Sequence, residues 1–87
     1  MFFGFKKIIA NAKSLKLDNL ITSIDITNSN DYIIKMDQEL KTIHFGDGSS
    51  INDKMTWVLE IIEQKKDVEG EIFVKNPEKN VYFREKV

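Results

Sequence analysis

Cysteine is absent from these 87 residues, which excludes disulfides, thiolate metal centres and a cysteine nucleophile, and leaves the redox compartment without a signature. Histidine occurs once, as His44, so one chain cannot build a two-histidine metal site, and no positioned nucleophile accompanies that imidazole. One proline and four glycines leave little room for a disordered or linker-like segment. No apolar run approaches the ~18 residues of a spanning helix. The opening Met-Phe-Phe-Gly-Phe-Lys-Lys has its charges after its aromatics, the reverse of a secretory signal. The chain itself therefore reads as soluble, without an anchor. Neither sign of charge dominates: 13 basic and 14 acidic residues give a net charge of −1, which lacks the footprint of a nucleic-acid binder.

What is present is a core-forming composition. An apolar fraction of 41%, with six Phe, two Tyr and one Trp, supplies one hydrophobic interior and hence a single domain over residues 1–87. Residues 2–17 carry Phe5, Ile8, Ile9, Ala12 and Leu15 near one stripe, which predicts an amphipathic helix over 1–17. Its four lysines (Lys6, Lys7, Lys13 and Lys16) meet no acid in those residues, so this end is locally basic.

Three alternating segments, Leu20 to Thr27, Tyr32 to Met36 and Leu40 to Phe45, predict a meander of strands across 20–45. Ile24 with Ile26, Tyr32 with Ile34 and Met36, and Ile43 with Phe45 would each share a side, because side chains alternate with period two. His44 then points away from the core. Gly46-Asp-Gly-Ser-Ser50 breaks the pattern, and Ser50 reads as the N-cap of a second helix over 50–66 that carries Ile51, Met55, Val58, Leu59 and Ile62 inward. Lys65 and Lys66 in its last turn suit the negative end of the helix dipole. Trp57 and the Phe2-Phe3-Phe5 cluster read first as core and second as partner anchors. Residues 70–87 form a terminal hairpin, Glu71 to Lys75 and Asn80 to Val87 around Asn76-Pro-Glu-Lys79. The fold class is α+β in the order α-β-β-β-α-β-β, an antiparallel sheet with helices on one face.

Function is less legible. The Gly46 to Ser50 turn lacks the lysine of a P-loop and the ligand spacing of a calcium loop, so no metal or cofactor is expected. The scattered carboxylates look like turn chemistry, so no catalytic residue is assigned and the chain is not expected to be an enzyme. A chain whose last segment is a strand leaves that strand at a sheet edge, where a partner strand or a second copy can pair. In it Val81, Phe83 and Val87 share one face, while Tyr82, Arg84 and Lys86 share the other, with Tyr and Arg being types enriched at binding hot spots.

Several weak motifs in order resemble one family. Asp25-Ile26 with its Asn-rich turn, Lys41-Thr-Ile-His-Phe-Gly-Asp47, Ile51-Asn-Asp-Lys-Met55, Gly70-Glu-Ile and Val81-Tyr-Phe-Arg84 together resemble the C-terminal β domain of the FtsQ/DivIB cell-division proteins, over about residues 5–87. The resemblance implies a non-enzymatic scaffold of the bacterial divisome, on the extracytoplasmic face of the membrane at the septum. In such a parent the spanning helix and a POTRA domain are segments absent from this chain. It implies DivIC/FtsB-like and FtsL-like partners, the former adding a strand at the last strand of the domain. The partner-binding residues become Asn80, Val81, Tyr82, Phe83, Arg84 and Lys86, with Lys75 flanking. Two other readings stand beside this one: a small anion- or nucleotide-binding domain using the 46–50 loop, and an anionic-membrane module through helix 2–17.

Overall fold

The computed structural model describes residues 3–87. Met1, Phe2 and the side chain of Phe3 fall outside the described part, and with them most of the proposed Phe cluster. The element order is α1 (Phe3–Ser14), β1 (Ser23–Asp25), β2 (Tyr32–Met36), β3 (Lys41–Gly46), α2 (Ile51–Gln64), β4 (Gly70–Asn76) and β5 (Asn80–Glu85), with single 3-10 turns at Asp18–Leu20 and Asp37–Glu39. The fold is α+β in the expected order. The five strands form one sheet in the order β1-β2-β3-β4-β5.

One pairing departs from an antiparallel sheet. β3 and β4 run parallel, while β1/β2, β2/β3 and β4/β5 are antiparallel. The cause is α2: a helix between two neighbouring strands returns the chain to the end where it started, so the second strand must repeat the direction of the first.

Register sorts the side chains into two faces. Ile24, Ile34, Ile43, Ile72 and Phe83 are successive cross-strand partners, an apolar row that crosses all five strands on the helix side. Ile34, Ile43 and Ile72 in that row are fully buried. Ile8 and Ala12 of α1 and Ile51, Met55, Val58, Ile61 and Ile62 of α2 join them in one core. Each fully buried Ile, Val or Met among them contributes about 1.5–3 kcal/mol over an exposed one. Trp57 is not among them: it stands outside the buried stripe of α2 and is 40% exposed, which corrects its reading as core.

The helix ends differ from expectation in instructive ways. α1 stops at Ser14 because Lys16 takes a left-handed conformation (φ 61°), with Leu17 N–H donating to Ala12 O at 2.7 Å and Lys16 N–H to Lys13 O at 3.0 Å. This is a Schellman ending, sealed by the buried Leu17. Ser50 is the N-cap residue of α2, its carbonyl accepting from the Lys54 N–H at 3.0 Å, but its φ is 50° and its hydroxyl makes no cap hydrogen bond, so the side-chain cap that the sequence suggested is not formed. At the other end of α2, Lys65 and Lys66 lie beyond Gln64, and the terminal carbonyl of Lys65 is met by the Lys41 ammonium at 2.9 Å. The first strand is shorter than predicted, since Leu20 belongs to the 3-10 turn. No helix among the described residues is long and apolar enough to cross a membrane.

Candidate interaction edge and the open sheet face

Among the described residues β5 hydrogen-bonds to β4 on one side only, and its other backbone edge has no strand partner. It runs from Asn80 to Glu85, six residues without proline. Alternation divides its side chains. Val81 and Phe83 turn toward the helices and pack partly buried against the core, so they support the edge from behind. Tyr82, 44% exposed, and Arg84 project from the opposite face. Val87 lies beyond the strand and is fully exposed, which corrects its placement with Val81 and Phe83.

Among the described residues no helix covers the opposite face. Two cross-strand rows run over it: Asp25, Ile33, His44, Phe73 and Tyr82 in one, and Ser23, Lys35, Thr42, Glu71 and Arg84 in the other. In the first row the His44 and Phe73 rings stack at 4.4 Å between centroids and the Phe73 and Tyr82 rings at 4.5 Å, with interplanar angles of 2° and 10°. In the second row Glu71 accepts from its row neighbour Arg84, through Nε at 3.2 Å, and from His44 Nε2 of the first row at 2.7 Å. Arg84 beside it, and then His44, hold the Glu71 carboxyl below the usual range, while Glu71 raises Arg84 in return. The Arg84 guanidinium also lies 5.2 Å from the Phe73 ring centroid, a cation–π distance.

The predicted site residues are therefore brought to one edge, but their charges are already engaged. Lys75 Nζ sits 3.0 Å from Asp31 Oδ1, as an ion pair without hydrogen-bond geometry. Lys86 Nζ sits 3.3 Å from Glu69, whose backbone carbonyl also accepts from the Lys86 N–H. Asn80 pairs with Asn76 across the hairpin turn. Sequence reasoning missed Glu71, Phe73 and the partnership of His44. The alternation of β3 and β4 put them on the polar face, but only the parallel pairing makes them neighbours.

The other candidate site closes on itself. Asp47 accepts from the backbone N–H of Ser49 at 3.0 Å and from its hydroxyl, and the buried Lys54 ammonium reaches Asp47 O at 3.0 Å. These hydrogen bonds, Ser49 first, pull the Asp47 carboxyl down to about 2. A turn that presents a carboxylate and has its cation buried is a poor cradle for an anion. Among the described residues no three His, Asp or Glu side chains are grouped to hold a metal.

At the Glu69 end of the edge an open groove of about 500 Å³ mixes Glu69 and Glu71 with Arg84 and Lys86, and it contains no nucleophile oriented by a base. Comparison of the chain with protein families, with curated proteins and with solved structures finds no match in any of the three.

Proposed function

We propose that this domain is a non-catalytic interaction module that takes up one extended strand of a partner protein along β5. The observation that carries the reading is the position of β5 at the end of the sheet, with a free backbone edge backed by Val81 and Phe83 and bordered by Tyr82. Strand addition draws its affinity from main-chain hydrogen bonds and its selectivity from alternate side chains. The resemblance to the FtsQ/DivIB β domain supplies the partner class: a DivIC/FtsB-like division protein acting with an FtsL-like one, outside the cytoplasm at the septum. Backbone pairing is the common part of both lines of support.

The test is a titration of the isotope-labelled domain with the extracytoplasmic part of such a partner. Amides of residues 80–86 should shift first and most. Tyr82→Pro, which removes one strand donor, should weaken binding where that N–H faces outward. Shifts confined to α1 would overturn the proposal, and self-association through the same edge would show as shifts that depend on domain concentration alone.

A further inference from the structure

On the helix side of the molecule, beside the turn that leads into β5, the one tryptophan stands in a groove. The groove holds about 310 Å³ between α2 and the β4–β5 turn and is lined by Asp53, Thr56, Trp57, Glu60, Pro77 and Glu78. Asp53 and Glu60 lie four residues before and three after Trp57, so they flank the indole on one helix face, and the turn brings Glu78 to the opposite wall.

We propose that this groove docks an arginine side chain of a basic peptide segment. Its apolar lining is the indole and the Pro77 ring, and all three of its ionisable side chains are acidic. None of Asp53, Glu60 and Glu78 has an ion-pair or hydrogen-bonding partner for its side chain among the described residues. The adjacent lysine on α2, Lys54, is buried and directed to Asp47 instead. A large exposed aromatic ringed by unpaired carboxylates complements a cation that is flat and weakly hydrated. A guanidinium can stack on the indole while its N–H groups reach the carboxylates around it. A metal ion is a poorer fit, because these carboxylates do not converge into a ligand set.

Trp57 is the sole tryptophan, so its emission reports directly on the groove. The probe is a capped peptide of alternating arginine and alanine, with citrulline replacing arginine in the control. The expected result is a saturable change in emission with the arginine peptide and none with citrulline. The double substitution Glu60→Gln with Glu78→Gln should weaken binding about three- to tenfold, whereas Glu39→Gln, outside the groove, should leave it unchanged. No saturable change, an equal response to citrulline, or unaltered binding by the double variant would overturn the proposal. An emission change that follows domain concentration without peptide would assign the groove to a second copy, whose α1 is itself basic, and would overturn it too.

Discussion

Lys41 occupies a core-facing position of β3 that alternation would assign to an apolar residue, and it is 2% exposed. Its ammonium donates to three backbone carbonyls, Glu39 O at 2.8 Å, Lys65 O at 2.9 Å and Val68 O at 2.6 Å, which uses all three of its protons. One side chain thus ties the start of β3 to the end of α2 and to the turn before β4. Lys41→Met keeps the length and the apolar stem but strands those carbonyls, and should cost about 1–3 kcal/mol in urea denaturation. Burial holds the Lys41 pKa below the ordinary 10.5. Between that lowered value and 10.5 the unfolded chain binds more protons than the folded one, so stability from this group rises with pH across that window. The difference in urea midpoint between wild type and Lys41→Met should therefore widen as pH climbs toward ~10.5.

At the scale of elements, the seating of β5 depends on the absence of a side chain at Gly70. A Cβ there would collide with Phe83 Cζ and meet the Arg84 carbonyl oxygen at 2.5 Å, and the second of these is backbone that cannot rotate aside. Gly70→Ala should therefore lift β5 from β4 and destabilise the domain by about 1–3 kcal/mol. Amide exchange checks it: protection should fall across residues 80–85 before it falls in β2 or β3. The existence and order of the elements were legible in the sequence because apolar periodicity is strong in α2 and in β2, whose bounds Tyr32 to Met36 agree with expectation. Their ends were not. Ser50 has cap chemistry, yet its left-handed backbone turns the hydroxyl away from that task, and Asp47 with Lys54 secures the turn instead. Lys41 was unreadable for a related reason: its use depends on three carbonyls that come together only in the folded chain.

For the whole molecule, the sheet is covered on one side and open on the other, and the free edge of β5 borders both. That β5 ends the sheet was legible from its place as the last strand in sequence. The stacked row of His44, Phe73 and Tyr82 was not, because neighbours across strands follow from strand order and direction, which alternation alone does not supply. The pairing of Arg84 with Glu71, Lys75 with Asp31 and Lys86 with Glu69 has a kinetic consequence. An edge whose cations are already neutralised casts almost no long-range field, so a strand arriving there is not steered. Association should proceed at an unassisted rate, on the order of 10⁵–10⁷ M⁻¹s⁻¹. Stopped-flow measurements between ~0.05 and ~0.5 M salt should find that rate changed by less than about threefold. The proposed interface would then be recognised by touch rather than at a distance.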